Sequence, residues 1–128
     1  MNFEKADLIR YRIERAFETL EEAKILANAN HWNTVANRLY YSCFYAINSL
    51  FVFDKINAHT HNGVKSNFHK EYIKNGKFDI KYGKMYNQLL NKRGEGDYED
   101  FVKFKKEVIE PYIMNVEDFL MSVNNYIT

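Results

Sequence analysis

The distribution of apolar residues predicts one long, buried helix between Trp32 and Phe53. Apolar side chains recur there at spacings of three and four residues, the period that places side chains on one helical face. A helix that is apolar over so much of its circumference needs neighbours on several sides, so we expect it to be the centre of a helical bundle. The apolar residues are Val35, Ala36, Leu39, Tyr40, Cys43, Phe44, Ile47, Leu50 and Phe51.

The segments on either side of this central helix show the same period and predict the helices that cover it. Residues 3–28 predict a first helix, and the short break after it implies that the first two helices form an antiparallel hairpin. Residues 62–74 predict a shorter third helix, which the following Asn-Gly pair ends. Residues 78–93 predict a fourth helix, and we expect the glycine-rich sequence 94–96 to end or fray it.

The last third of the chain carries one apolar stripe from near Glu99 to the C-terminus, in a single helical register. Because proline lacks the amide hydrogen that a helix interior uses, Pro111 predicts a kink near Glu107. No segment alternates as a strand does. The sequence therefore predicts an all-α fold, a single domain over residues 1–128 that forms an up-and-down bundle of four long helices and one short helix. The members of the stripe are Phe101, Phe104, Val108, Tyr112, Val116, Phe119 and Val123.

Cysteine content, hydropathy and the N-terminal sequence bear on location. Cys43 is the only cysteine, so no internal disulfide forms and nothing calls for an oxidising compartment. The central segment has the length of a membrane span, but Arg38 lies inside it and tyrosines lie at its middle, which argues against a bilayer. The N-terminal sequence is charged and has no continuous apolar run, unlike a secretory signal. We expect a cytoplasmic protein that does not enter membranes.

Charge is unevenly distributed along the chain although the net charge is only +1. Residues 65–93 contain eight lysines and arginines and two acidic residues, whereas residues 94–128 contain three lysines and eight acidic residues. A clustered basic surface is typical of proteins that bind polyanions such as RNA. The alternative is that these lysines solubilise helix faces and pair with the acidic final third.

Four short sequences, in order, resemble the HEPN superfamily, and especially its small stand-alone bacterial and archaeal members. They are RLYYSCFYA at 38–46, HNGV at 61–64, KNGK at 74–77, and Arg93 followed by Asp97 and Tyr98. The resemblance implies a helical bundle, frequent homodimerisation, and association with RNA or with a minimal nucleotidyltransferase partner. Many members of the superfamily are metal-independent ribonucleases, often toxins that a partner neutralises.

The sequence departs from the catalytic pattern of that superfamily. Catalytic members carry an arginine, four to six residues, and then a histidine, so that an imidazole can exchange protons while a guanidinium holds the scissile phosphate. No such pair occurs here, and Arg93 is followed by Gly-Glu-Gly-Asp-Tyr-Glu. Asp97 is a poor general acid at neutral pH because an unperturbed aspartate has a pKa of about 3.9. Ribonuclease activity therefore stays an open alternative.

Arg93, Asp97 and Tyr98 are the candidate catalytic residues. In the functional interpretation Arg93 binds a phosphate near a dimer interface, Asp97 orients it, and Tyr98 stacks on a base or accepts AMP, as a tyrosine near this motif does in some relatives. In the structural interpretation Arg93 pairs with Asp97 or caps a helix end, and Tyr98 packs in the core.

Arg38, Tyr41, His61, Lys65 and Lys92 are the candidate nucleotide-binding residues. A guanidinium on a largely apolar helix, such as that of Arg38, needs a carboxylate or an anion, and a buried structural ion pair is the alternative. An exposed tyrosine such as Tyr41 can stack on a base. His61 is expected to cap a helix or to line a cleft at its start, where backbone amides favour anions.

The histidines and the absence of other motifs limit the remaining functional classes. His59, His61 and His69 lack a nearby cysteine or carboxylate, so we expect no metal site and no cofactor. The sequence has no glycine-rich phosphate loop, nucleophile elbow or paired zinc motif. The rival to an RNA-associated protein is therefore a non-catalytic module that binds a protein or a nucleotide.

Overall fold

A computed structural model describes residues 3–98 and 102–128, with the side chains of residues 4–97 and 102–128. The described residues form helices and contain no strand, which confirms the all-α prediction. In these same ranges no helix is both long and apolar enough to cross a bilayer. The helices are α1 (Phe3–Asn28), α2 (Trp32–Asp54), α3 (His61–Phe68), α4 (Ile80–Tyr98), α5 (Lys106–Ile109) and α6 (Pro111–Ile127), and a π-helical turn (His69–Ile73) continues α3.

Helix α2 lies at the centre, as its apolar pattern predicts, and α1 packs against it in the antiparallel direction. Lys5 Nζ donates to the carbonyl of Phe53 at 3.4 Å, and Ser42 Oγ donates to the carbonyl of Ala16 at 2.8 Å. Asn30 makes the tight turn between the two helices with a φ of 62°, a left-handed conformation that asparagine tolerates. The core residues of α2 are fully or almost fully buried.

Helix α4 begins two residues later than predicted and continues to Tyr98, so the prediction that it ends or frays at residues 94–96 is wrong. A Cβ atom added to Gly96 would lie 3.0 Å from Phe104 Cε2. Glycine at this position therefore lets the segment after the helix pack closely against it. Because the helix continues, Asp97 lies one turn beyond Arg93 on the same face.

The C-terminal third is helical over a shorter range than predicted. Residues 102–105 are not helical, and Phe101 lies outside the described residues. Val108 is 43% exposed, whereas its neighbour Ile109 is buried, so the proposed stripe is wrong at that position. Glu110 separates α5 from α6, and Pro111 occupies the first turn of α6, where a helix needs no amide hydrogen. The expected kink near Glu107 is thus a break at Glu110.

One carboxylate ties three elements together at the end of α2. Tyr72, in the π-helical turn, donates its hydroxyl to Asp54 Oδ2 at 2.6 Å, and Tyr126, in α6, donates to the same oxygen at 2.8 Å. Burial is the largest cause that raises the pKa of both phenols, and the hydrogen bond to Asp54 adds to it. Asp54 therefore fixes the end of α2 against both neighbours.

Candidate functional site

Two arginines from different helices lie over the same tyrosine ring. The Cζ atom of Arg38, in α2, is 5.3 Å from the centre of the Tyr41 ring, and that of Arg93, in α4, is 5.5 Å from the same centre. Arg93 Cζ is also 5.5 Å from the centre of the Tyr40 ring. Aromatic faces attract cations, so the two rings hold both guanidiniums in place. We name Arg38, Tyr40, Tyr41, Arg93 and the adjacent His61 the two-arginine cluster.

Asn37 connects the two halves of this cluster. Its Nδ2 donates to Asp97 Oδ2 at 2.7 Å, and its Oδ1 accepts from Arg38 Nε and Nη2 at 3.1 and 2.8 Å. Arg93 Nε lies 3.7 Å from Asp97 Oδ2, and Arg38 Nη1 lies 3.5 Å from Glu22 Oε1. The carboxylates therefore orient both guanidiniums. The two arginine side chains remain 15% and 26% exposed, so an anion in solution can reach them.

His61 joins the cluster through Tyr40. The Tyr40 hydroxyl and His61 Nδ1 are 2.6 Å apart, and the two ring centres are 5.8 Å apart. The Tyr86 hydroxyl donates to that of Tyr40 at 3.2 Å, which completes a chain of three groups. Burial, and secondly the positive charge of Arg93, lower the pKa of His61 below its ordinary value. Its imidazole is therefore neutral at physiological pH.

The hydroxyl of Thr60, and not His61, caps helix α3. Thr60 Oγ1 accepts from the amide of Gly63 at 2.9 Å, so the prediction that His61 caps the helix is wrong. The other prediction for His61, that it lines a cleft at the start of a helix, stays a prediction. With Nδ1 bonded to the buried Tyr40, Nε2 is the nitrogen left for a ligand.

The remaining candidates from the sequence are Lys65, Lys92 and Tyr98. Lys65 lies one turn after His61 on the same face of α3 and is half-buried. Lys92 directs its Nζ towards the Phe104 ring, at 5.6 Å from the centre. Tyr98 is the last residue of α4, and its side chain lies outside the described residues.

Sequence reasoning missed the residues that hold the cluster together, namely Glu22, Asn37, Tyr40 and Tyr86. The only local signal was the asparagine next to Arg38 within an apolar helix, because such an amide needs partners. Within the described ranges, no three histidine, cysteine or acidic side chains lie close enough to hold a metal ion. His69, one of the three histidines considered for metal binding, contacts Asn87 Oδ1 through Nε2 at 2.9 Å.

Comparisons with known proteins identify the family. The HEPN domain family model matches residues 9–126. The "UPF0332 protein" of Thermotoga maritima is 34% identical over 124 residues, which cover 97% of this chain and 94% of the relative. A Methanocaldococcus jannaschii protein named "Putative toxin MJ0142" is 32% identical over 115 residues, 90% of this chain and 78% of that protein. A second protein from that organism, "Putative toxin MJ0605", is 29% identical over 98 residues, 77% of this chain and 73% of its own length. The resemblance found in the sequence is confirmed, and the chain belongs to the HEPN domain family.

Proposed function

We propose that the protein is a toxin-type HEPN protein that binds RNA at the two-arginine cluster and cleaves it without a metal ion. The observation that carries this proposal is that the His61 imidazole and the Arg93 guanidinium both lie beside the Tyr40 ring. The word toxin in the names of two relatives supports the biological class. The imidazole that family spacing would place shortly after Arg93 is supplied here by α3.

The proposed reaction is an internal transfer of the phosphate. Arg93 and Arg38 hold the two non-bridging oxygens. His61 acts in the tautomer whose Nδ1–H donates to the Tyr40 hydroxyl, because its Nε2 is then unprotonated and can take the proton of the adjacent ribose 2′-hydroxyl. The 2′-oxygen forms a bond to phosphorus, and the bond from phosphorus to the 5′-oxygen breaks. The leaving oxygen takes a proton from water, and the hydroxide that this leaves takes back the proton held by His61, so water and the imidazole are both restored. The products are a 2′,3′-cyclic phosphate and a free 5′-hydroxyl, so the step consumes no co-reactant.

Cleavage of end-labelled RNA in the presence of EDTA tests this proposal. We expect the parent protein to cleave, and Arg93→Ala and His61→Gln each to reduce the rate by about 100-fold or more. Arg10→Ala is the matched control, because Arg10 is 65% exposed and, among the described residues, forms an ion pair with its near neighbour Asp7 alone. Far-UV circular dichroism must show that each variant is folded. RNA left intact by the parent, or cut equally by a folded His61→Gln, would contradict the proposed chemistry.

The pairing of the arginines with carboxylates favours one alternative, a non-catalytic interaction module. Glu22 and Asp97 satisfy part of the charge of Arg38 and Arg93 within the chain itself. Salt dependence separates the two functions. The affinity for RNA held by two arginines must fall as salt rises, with a slope of about 0.7 per phosphate contact in a plot of log affinity against log salt concentration. The affinity for a protein partner that packs against the chain need not depend on salt in this way.

Three finer points belong to the same proposal: homodimerisation, a nucleotidyltransferase partner and action in the cytoplasm. Exposed apolar side chains on α1 and α6, Ile25 at 69% and Met114 at 72%, support a dimer surface. Light scattering at micromolar concentration should give twice the mass of the chain. Incubation with the partner and ATP should add one AMP to the parent protein and none to Tyr98→Phe, and an unmodified parent would refute that role of Tyr98.

A further inference from the structure

A groove lies between α1 and α2, next to the two-arginine cluster. It has a volume of about 300 Å³ and is lined by Tyr11, Arg12, Arg15, Tyr45 and Asn48. Its lining therefore combines two phenol rings, two guanidiniums and one amide. That composition matches the parts of a nucleotide, because rings stack on bases, guanidiniums bind phosphates and an amide pairs with the edge of a base.

The amide of Asn48 is the most informative group in this groove. Asn48 is only 9% exposed, yet none of the other described side chains or backbone groups hydrogen-bonds to its side chain. The oxygen and nitrogen of this amide are not among the fully buried polar atoms, so they are open to the groove, where water or a ligand can satisfy them. Asn48 offers both a donor and an acceptor to whatever enters the groove.

The rings connect this groove to the cluster. Tyr45 and Tyr41 lie one turn apart on α2, and their ring centres are 6.1 Å apart. Arg15 Cζ lies 5.4 Å from the centre of the Tyr45 ring and is held there by Glu22, at 3.4 Å from Nη1. Arg12 has no ion pair among the described residues, so its charge is available to a bound anion. Arginine and tyrosine side chains thus form a continuous row from Arg93 through Tyr41 and Tyr45 to Arg15.

We propose that this groove is a nucleobase subsite, which binds one base of an RNA strand whose neighbouring phosphate lies at the two-arginine cluster. The inference rests on the proposed RNA-binding function and deepens it. The base stacks on Tyr45 and pairs with the Asn48 amide, while Arg12 contacts a flanking phosphate. A single strand is the form of RNA that fits, because only an unpaired base can leave the stack and enter the groove.

A series of fluorescein-labelled adenylate hexamers, each with one abasic nucleotide at a different position, tests the subsite. Binding of each hexamer is followed by fluorescence anisotropy. We expect one abasic position to weaken binding to the parent protein by about fivefold or more, as the loss of one stacked base does. Asn48→Ala and Tyr45→Leu should each bind the intact hexamer about fivefold more weakly than the parent protein does. In these variants the abasic position should cause no further loss of affinity. Tyr45→Phe is the matched control, because it keeps the ring and should keep the sensitivity to the abasic position.

The outcomes separate this inference from the function on which it rests. A parent protein that does not bind the intact hexamer overturns both proposals. If Arg93→Ala abolishes binding but no abasic position weakens it, only the subsite is overturned. The subsite is also overturned if folded Tyr45→Leu still loses affinity by the full factor of about five at the abasic position. Should Asn48→Ala and Tyr45→Leu both unfold, Tyr11→Ala decides the matter. Tyr11 is the second ring that lines the groove, it is 65% exposed, and its loss leaves the core intact. It should weaken the intact hexamer, and unchanged affinity would overturn the subsite.

Discussion

Replacing Asp54 by alanine should lower the free energy of unfolding by about 3 kcal/mol. The change removes two hydrogen bonds to an ionised carboxylate, from Tyr72 at 2.6 Å and from Tyr126 at 2.8 Å. Bonds to charged groups contribute about 1.5–3 kcal/mol each. We expect the lower end of that range for each bond. The Tyr72 hydroxyl keeps the Leu50 carbonyl, at 3.1 Å, as a second acceptor, and Tyr126 is only half-buried and can turn to water.

Urea unfolding followed by circular dichroism measures this loss. With a slope of about 2 kcal/mol per molar urea, the midpoint should fall by about 1.5 M. Asp118→Ala, an exposed carboxylate on α6, is the control and should change stability by less than about 0.5 kcal/mol. Tyr126→Phe should cost about 1.5 kcal/mol in the parent and much less beside Asp54→Ala, because the partner is already gone. Equal costs in both backgrounds, or a loss below about 1 kcal/mol for Asp54→Ala, would refute the assigned role of the carboxylate.

Three further predictions concern pH, packing and the site. Burial, with the bond to Asp54, raises the pKa of Tyr126 to about 12, so the native state keeps a proton that the unfolded chain loses above about pH 10. Stability measured by urea unfolding should therefore fall as the pH rises from about 10 to 12, and less so in Tyr126→Phe. Gly83→Ala should cost about 1–3 kcal/mol in the same assay, because the added Cβ would lie 2.8 Å from His69 Cε1. Gly94→Ala is the contrast, because no atom of the described residues lies within 4 Å of a Cβ added there. NMR titration should place the pKa of His61 below about 6.5 in the free protein and higher with inorganic phosphate bound, and a pKa that phosphate leaves unchanged would separate His61 from the anion site.

The sequence predicts the helices well where a continuous apolar stripe determines them. α1 has the predicted bounds and α2 extends only one residue further, because a long stripe on one face leaves few alternative helix ends. The expectation that glycines end a helix was wrong at the end of α4. Glycine costs about 1 kcal/mol in a helix, but Gly96 allows Phe104 to approach. The low helix propensity of glycine there has less effect than the contact with Phe104. The sequence alone does not indicate which of the two effects is larger.

The non-helical segment 102–105 has a cause that no local pattern contains. Asn33 Nδ2 donates to the carbonyl of Val102 at 2.8 Å, and Asn33 Oδ1 accepts from the amide of Phe104 at 2.8 Å. One side chain in α2 therefore satisfies backbone groups that a helix would otherwise pair internally. These partners are about seventy residues apart in the chain, so the apolar stripe through this region could only predict a continued helix.

The same separation explains why the spacing of Arg93 and the histidines gave no catalytic pair. Arg93 comes from α4 and His61 from the start of α3, and the fold places both beside the ring of Tyr40 on α2. Under the proposed function this arrangement couples binding to proton transfer. Arg93 helps to keep the imidazole neutral in the free protein, and a phosphate bound to Arg93 offsets that positive charge. The affinity of His61 for a proton then rises at the step where it must take one from the ribose hydroxyl, so the anion that the arginines select also prepares the base that acts on it.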